Sequence, residues 1–255
     1  MRLGVVSDIH GNLVALQAVL ADAASQDVDS WWALGDLVLF GPRPVEVLEA
    51  LSDLCAIAYL SGNTDRYVLT GQHHLSETLP ARIAEDPDML GRLVGMAGAI
   101  GWTRGALDQA GLVSTLAALP ASLSTDLPDG RTLLGVHATT TRDDGPGIST
   151  STPDGALAEF FADTGASVVV GGHTHDPTDR IVGDLRVLNP GSVGLSQEPG
   201  FARWLVLEAD GDGVRVDLRR VPYDVDVVVG DLYGRGYPNA AYLEASLTGA
   251  RTFGS

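Results

Sequence analysis

The opening stretch MRLGVVSDIHGNLVALQAVLADA, residues 1–23, indicates the fold class. Its first part, residues 2–6, is a short apolar run typical of a buried strand. The apolar residues that follow Asn12 recur at helical spacing, and asparagine is a common cap of a helix N-terminus. The stretch therefore predicts a strand, a polar loop and a helix, which together form the first unit of an α/β fold.

The same pattern of strand, loop and helix continues downstream. Its further members are a strand at 31–34, a helix at 44–54, a strand at 56–60 and a loop at 61–65. From about residue 66 to 120 the pattern changes to long helical stretches such as 107–119, without a clear strand. We therefore expect a single domain over residues 1–255, with a helical insert or cap at about 66–120.

Strand signals return after residue 120. Pro128-Asp129-Gly130 is a turn sequence between two apolar segments, and it predicts a hairpin of 122–127 with 131–136. The later elements expected are a helix at 153–164, strands at 167–170, 180–182 and 185–188, a hairpin over 204–220 and a helical tail from 225. Trp31 and Trp32 are adjacent in a strand, so one ring is expected in the core and the other against a second layer.

Composition limits the classes of function and partner. The formal net charge of −17 argues against stable binding of nucleic acid or of membranes. All 16 basic side chains are arginine, which excludes mechanisms that need a catalytic lysine. The single cysteine, Cys55, is predicted to be a small buried residue of a strand. We see no secretory signal and no apolar run of roughly 20 residues, so a cytoplasmic location is expected.

Polar side chains typical of metal ligands follow five of the apolar runs. In chain order they are Asp8 and His10, Asp36, Asn63, His137, and the pair His173 and His175. The carboxyl ends of parallel strands share one edge of a sheet, so these side chains are expected to meet. Two of the pairs have the i, i+2 spacing that points both side chains the same way in extended backbone. Seven nitrogen and oxygen ligands are too many for one ion and suit two divalent ions.

These segments resemble the ordered signature blocks of the calcineurin-like metallophosphoesterases. The blocks are Asp8-Ile9-His10-Gly11-Asn12, Gly35-Asp36, Gly62-Asn63-Thr64-Asp65, Gly135-Val136-His137 and Gly172-His173-Thr174-His175. Segments 41–44, 189–192 and 219–223 are also similar to a small prokaryotic, phosphodiesterase-like branch of the family. The resemblance implies an α/β four-layer sandwich, in which two facing mixed sheets are flanked by helices.

The resemblance also implies how the ligands divide between two metal ions. One ion is held by Asp8, His10, Asp36 and His175, and the other by Asp36, Asn63, His137 and His173, so that Asp36 bridges them. Manganese is the expected metal, with iron, zinc, magnesium or nickel as alternatives. Two divalent ions with only two carboxylate ligands leave the site positive, which attracts a phosphate ester. A hydroxide bridging the ions is the expected nucleophile, with Asp36, Asn63, His137 and Asp65 as catalytic residues.

Position 64 departs from the family pattern. Many members carry a histidine where this chain has Thr64, and that histidine is taken to protonate the leaving group. A threonine hydroxyl cannot act as an acid near neutral pH. Asp65, which orients the histidine in those members, is expected here to cap the following helix or to pair with Arg66.

Other charged residues near the site loops are candidates for further roles. Arg66 is the preferred candidate for a contact with a substrate phosphate, ahead of Arg43 and Arg142. His73 and His74 in the insert are expected to be an exposed pair rather than a substitute acid. Asp210-Gly211-Asp212-Gly213 is expected to be a hairpin turn, because it lacks the ligand pattern of a calcium loop.

Three functions fit these motifs. The first is a metal-dependent phosphoester hydrolase acting on a small molecule, with phosphodiesters preferred over monoesters. The second is a phosphatase of phosphoproteins or a hydrolase of dinucleoside polyphosphates. The third is a non-catalytic scaffold on the same fold, which the retention of all seven ligand types disfavours. The sequence leaves open whether the protein forms a homo-oligomer.

Overall fold

The structure is a computed structural model that describes residues 1–72 and 89–250. The strands in these ranges are β1 (Arg2–Val6), β2 (Ser30–Leu34), β3 (Ile57–Leu60), β4 (Ser122–Asp126), β5 (Thr132–Val136), β6 (Val168–Val170), β7 (Thr178–Val182), β8 (Leu185–Asn189), β9 (Phe201–Asp210) and β10 (Gly213–Pro222). The helices are α1 (Leu13–Ala23), α2 (Pro44–Ser52), α3 (Asn63–Thr70), α4 (Met89–Gln109), α5 (Val113–Ala117), α6 (Asp154–Phe161), α7 (Val225–Gly234) and α8 (Ala240–Leu247).

The described strands form two mixed sheets of five strands each. The first has the order β10-β9-β1-β2-β3, and the second has the order β4-β5-β6-β8-β7. Strands β1, β2 and β3 are parallel, with β3 at the edge of the first sheet, and β5, β6 and β8 are parallel in the second. The hairpin β9–β10 and the edge strands β4 and β7 pair antiparallel with their neighbours. Parallel central strands place the loops after them at one edge of each sheet.

Strand β2 shows how the sequence produces the layers. Trp31 and Ala33 pack with the helices on the outer face of the first sheet, and the Trp31 ring stacks on Trp204 at 5.5 Å. Trp32 and Leu34 point the opposite way, into an apolar cluster between the two sheets. Successive side chains of a strand point to opposite faces, which explains the division. The expectation that the two tryptophans face different layers is confirmed.

The second sheet is built in the same way. Val168 and Val170 of β6 face the cluster between the sheets, and Val169 faces outward. There Val169 packs with Leu157 and Phe161 of α6. Burial of each of these side chains stabilises the fold by about 1.5–3 kcal/mol. Helix layer, sheet, sheet and helix layer follow in that order, and the predicted four-layer α/β sandwich is confirmed.

Three local expectations are wrong. Residues 107–119 do not form one helix, because Gly111 has a φ of +72° and ends α4 before α5 begins. Cys55 is exposed and lies in a turn that precedes β3, rather than buried in the strand. Residues 63–65 belong to the first turn of α3 and not to a loop. Within the described ranges, no helix is long and apolar enough to cross a membrane.

Candidate metal centre

The loops that follow the central strands are tied together by backbone hydrogen bonds. The N–H of Asp8, after β1, donates to Gly35 O at 3.1 Å, and the N–H of His10 donates to Asp36 O at 2.9 Å. In the second sheet, the N–H of Gly172 donates to His137 O at 2.8 Å. These bonds hold the loops that carry the candidate ligands of each sheet against one another.

Three of the candidate histidines are oriented by backbone carbonyl groups. Their Nδ1 atoms lie 2.7–2.9 Å from carbonyl oxygens: His10 from Leu39, His137 from Leu34 and His175 from Leu195. A carbonyl oxygen only accepts, so each Nδ1 carries the proton and each Nε2 is left facing the centre. Partners of this kind orient histidine ligands in metal sites and raise their basicity.

The first half of the centre contains Asp8, His10 and His175. The Nε2 atoms of His10 and His175 are 3.2 Å apart, and His175 Nε2 lies 3.3 Å from Asp8 Oδ1. The three side chains offer ligand atoms within 4.8 Å of one another. Asp36 Oδ2 lies 3.8 Å from His10 Nε2 and completes the set of four.

The second half contains Asn63, His137 and His173. Asn63 Oδ1 lies 3.0 Å from His137 Nε2 and 2.9 Å from His173 Nδ1. Asp36 Oδ1 lies 3.4 Å from His137 Nε2, so the two oxygens of Asp36 face the two halves. The structure thus brings together all seven side chains singled out in the sequence.

The donor set and its charges fit divalent cations. Burial favours the neutral form of the Asp8 and Asp36 carboxyl groups. The neighbouring imidazoles outweigh this effect, so that His175 lowers the pKa of Asp8 and His137 lowers the pKa of Asp36. Burial also opposes charge on His137, yet the Asp36 carboxylate raises the pKa of this imidazole to about 10. Burial lowers the pKa of His10 to about 4. Without metal, the buried carboxylates therefore favour protons on the imidazoles of His137 and His175, and a cation bound at the centre would replace these protons.

Five of the seven candidate ligands have left-handed backbone. Their φ values lie between +51° and +67°, at Asp8, His10, Asp36, His173 and His175. The expectation that the i, i+2 pairs are extended is therefore wrong, although their side chains still converge. Left-handed backbone costs a non-glycine residue about 1–3 kcal/mol and clusters at functional sites, where packing enforces it.

Two glycines allow the loops to approach this closely. A Cβ atom on Gly62 would lie 2.9 Å from Asp36 Cγ, and one on Gly172 would lie 2.7 Å from Asp8 Oδ2. Either methyl group would push a carboxylate of the centre away from its partners. The glycines that precede Asn63 and His173 are thus part of the site's geometry.

Asp65 fixes the loops rather than facing outward. Its Oδ1 accepts the N–H of Leu37 and its Oδ2 accepts the N–H of Gly62, both at 2.9 Å. Burial and the neighbouring Asp36 raise the pKa of Asp65 to about 7. The helix cap expected of Asp65 is therefore present, and these contacts favour a positioning role for it.

Thr64 occupies the position at which a histidine was expected from the family. Its N–H donates to Asp36 Oδ1 at 2.8 Å, which helps to orient that carboxylate. Its side chain is buried, and the hydroxyl oxygen has no hydrogen-bond partner among the described residues.

The arginines near the site are engaged with acidic residues. Arg66 makes a bidentate pair with Asp143, with both contacts at 2.7 Å, and its Nη2 lies 3.2 Å from Asp144. Arg43 pairs with Asp231 and Arg142 with Asp144. The substrate contact expected of Arg66 stays a prediction. His73 and His74 lie outside the described residues.

Some residues that support the site were not assigned a role from the sequence. The Ser192 hydroxyl donates to Asp8 O at 2.8 Å, and Asn189 Nδ2 donates to Gly172 O at 2.8 Å. Both belong to segment 189–192, whose resemblance to the family was the available signal. The backbone carbonyls that orient the histidines carry no sequence signal, since any residue type supplies one.

Known proteins share the fold of this chain and parts of its sequence. The sequence profile of the calcineurin-like phosphoesterase superfamily domain matches residues 1–212. A metallophosphoesterase from Sphaerobacter thermophilus superposes with a TM-score of 0.72 at 28% identity, over 97% of this chain and 98% of that one. A hypothetical protein from Pyrococcus horikoshii has the same fold, with a TM-score of 0.77 at 20% identity and 97% of both chains covered.

Curated relatives match over a shorter region. A symmetrical bis(5'-nucleosyl)-tetraphosphatase from Pectobacterium carotovorum is 36% identical over 82 residues, which are 31% of this chain and 29% of that protein. An uncharacterized protein from Methanocaldococcus jannaschii is 42% identical over 67 residues, 26% of this chain and 27% of that protein. This chain therefore spans less than a third of either relative. The profile match, which covers most of the chain, is decisive: the chain belongs to the calcineurin-like phosphoesterase superfamily.

Proposed function

We propose that this protein is a metal-dependent phosphoester hydrolase with two divalent ions, and that it acts on small-molecule phosphodiesters in preference to monoesters. The observation that carries the proposal is the convergence of seven buried or half-buried ligand side chains, three of them aimed by backbone carbonyls. When bound, the ions would neutralise phosphoryl oxygens and make a coordinated water acidic enough to supply a hydroxide near neutral pH.

The two halves of the site support a division of the ligands between two ions. Asp8, His10 and His175 would hold one ion, and Asn63, His137 and His173 the other. Asp36 would contribute to both, since its Oδ1 and Oδ2 face different halves. The donor set of imidazoles, carboxylates and one amide oxygen suits manganese, iron or zinc.

Two features favour diesters over monoesters. The Thr64 side chain cannot protonate a departing alkoxide, so the leaving group must depart unaided or with help from the ions. The guanidinium groups of Arg66, Arg43 and Arg142 are paired with carboxylates, which reduces their capacity to match the second negative charge of a monoester. A diester carries one negative charge and needs less charge complementarity.

A second candidate is the hydrolysis of dinucleoside polyphosphates. The local similarity to symmetrical bis(5'-nucleosyl)-tetraphosphatases favours it. A phosphoanhydride also has a good leaving group, so it does not require the acid that Thr64 lacks.

A substrate panel separates these functions. Metal-free protein would be loaded with manganese, magnesium, zinc, iron or nickel and assayed on bis(4-nitrophenyl) phosphate, 4-nitrophenyl phosphate and diadenosine tetraphosphate. Faster hydrolysis of the diester than of the monoester supports the proposal. Preferential hydrolysis of the tetraphosphate favours the second candidate. Bound metal without hydrolysis of any substrate would contradict both and favour a scaffold.

A further inference from the structure

The peptide unit that joins Leu39 to Phe40 is hydrogen-bonded at both ends. Its carbonyl oxygen accepts the Nδ1–H of His10 at 2.9 Å, and its N–H donates to the hydroxyl oxygen of Tyr237 at 3.1 Å. The C=O and N–H of a trans peptide point in opposite directions, so the two partners lie on opposite sides of it. The Tyr237 hydroxyl is thus linked to His10 through a single peptide unit.

This peptide is held in a strained orientation. Phe40 has a φ of +77°, which is unfavourable for a residue with a bulky side chain. Rotating the peptide by about half a turn would return φ to the negative region, but it would withdraw both hydrogen bonds. The bond to Tyr237 therefore stabilises the orientation that presents the Leu39 carbonyl to His10. The centroid of the Phe40 ring also lies 5.8 Å from that of the His10 ring. A rotation of this peptide would therefore affect the imidazole both through its hydrogen bond and through the neighbouring ring.

Tyr237 is itself fixed by the C-terminal part of the fold. It follows α7 in a turn where Gly236 has a φ of +63° and the N–H of Tyr237 bonds back to Leu232 O at 2.9 Å. The Trp102 ring of α4 meets the Tyr237 ring edge-on at 4.8 Å. Burial raises the pKa of Tyr237, so the hydroxyl stays protonated near neutral pH.

A salt bridge joins the same two regions. Arg43, which precedes α2, donates to Asp231 of α7 with Nη2 and Oδ1 2.7 Å apart. Tyr237 and Asp231 both lie beyond residue 212, where the family match ends. Helix α7 and the turn after it thus contact the loop that carries Leu39 and Phe40 through at least two polar contacts.

We propose that Tyr237 is a positioning residue for His10, holding the imidazole with Nε2 toward Asp8 and Asp36. The inference rests on the metal centre proposed above. An acceptor bound to the N–H of a peptide makes its carbonyl oxygen a stronger acceptor, so the bond from Phe40 to Tyr237 also favours the bond from His10 to Leu39 O. Loss of the group that directly orients a metal-binding histidine typically weakens metal binding by about 10- to 100-fold, and here Tyr237 acts on that group, the Leu39 carbonyl.

The test is Tyr237→Phe in the full-length protein, which removes the hydroxyl and keeps the ring against Trp102. Metal-free protein would be titrated with Mn²⁺ by calorimetry. We expect one of the two ions to bind about tenfold more weakly, at the lower end of that range because Tyr237 acts through the Leu39 carbonyl, while the other keeps its wild-type affinity. In the metal-free variant, the NMR signal of the His10 Nδ1–H is expected to broaden or disappear through exchange with water, because its acceptor is no longer fixed.

Two control variants separate positioning from general stability. Tyr233→Phe makes the same substitution on α7, where the hydroxyl bonds to Glu244 at the surface. Leu243→Ala truncates a buried side chain of α8 and lowers stability without removing the Tyr237 hydroxyl. Both controls are expected to bind both ions as the wild type does.

Three results would overturn the inference. Wild-type affinity for both ions in Tyr237→Phe would show that the hydroxyl does not position His10. An equal loss in Leu243→Ala would show that destabilisation of the C-terminal helices is sufficient. Retention of both ions at wild-type affinity in His10→Ala would contradict the metal centre itself, and that failure is distinguishable because it does not involve Tyr237.

Discussion

Replacing Asp36 with asparagine is expected to weaken both halves of the candidate centre at once. Asp36 Oδ1 lies 3.4 Å from His137 Nε2, and Oδ2 lies 3.8 Å from His10 Nε2. Asparagine has nearly the same shape and can still accept the N–H of Thr64, so the fold is expected to persist. What the substitution removes is one negative charge and one oxygen ligand.

The size of the effect follows from the distances. An ion bound between Asp36 and either imidazole would lie within about 4 Å of the carboxylate. At that separation and an effective dielectric constant of about 20, each unit of ionic charge gains about 4 kcal/mol from the carboxylate. Since 1.4 kcal/mol corresponds to a tenfold change in affinity, each ion is expected to bind at least about 10³-fold more weakly.

The assay combines metal analysis with activity. Purified Asp36→Asn would be incubated with Mn²⁺, freed of unbound metal and analysed for bound metal, hydrolysis of bis(4-nitrophenyl) phosphate and circular dichroism. Asp179→Asn is the matched control, because that carboxylate pairs with Arg186 at the surface. A folded Asp36→Asn variant that keeps two ions and near wild-type hydrolysis would refute the bridging role.

Three further predictions follow from individual contacts. His137→Ala is expected to weaken one ion and spare the other, because this imidazole belongs to the half with Asn63; equal loss of both ions in metal analysis would contradict it. Thr64→His is expected to raise hydrolysis of aryl diesters by an amount that grows with the pKa of the phenol; a uniform gain across the series would contradict it. The hydrogen bond from Arg219 outweighs the effect of burial and holds the pKa of Asp22 below 3.8. The ionised Asp22 therefore stabilises the fold above pH 3.8, and this stabilisation is lost as the pH falls through the lowered pKa. The difference in Tm between wild type and Asp22→Asn should therefore shrink from pH 6 to pH 3, and a constant difference would contradict this.

The four-layer sandwich was implied by the family resemblance, whereas the two-sided burial of β2 was predictable from a local pattern. The alternation of Trp31, Trp32, Ala33 and Leu34 across β2 is a direct consequence of strand geometry, and so is their division between two apolar clusters. The hairpin of β4 and β5 was predictable because Pro, Asp and Gly each favour turn conformations, and Pro128-Asp129-Gly130 lies between two apolar segments. The ends of elements were harder to predict. Gly111 shows why, because the sequence alone does not determine whether a glycine takes a helical or a left-handed φ.

The candidate ligands were predictable as residue types at strand ends, but their arrangement was not. The left-handed φ of Asp8 and His10 is enforced by bonds to Gly35 and Asp36, which are distant in sequence. Backbone acceptors such as Leu39 O leave no trace in the side-chain pattern. The pairing of Arg66 with Asp143 depends on a loop whose position follows from the tertiary fold.

The central claim is that this chain hydrolyses phosphate esters with two metal ions, and a titration tests it most directly. Metal-free protein would receive increasing Mn²⁺ while hydrolysis of bis(4-nitrophenyl) phosphate is followed. The account predicts no hydrolysis without metal and a rate that rises to a plateau at two equivalents of tightly bound ion. Hydrolysis that is independent of metal, or a folded protein that binds two ions and never hydrolyses the ester, would contradict it.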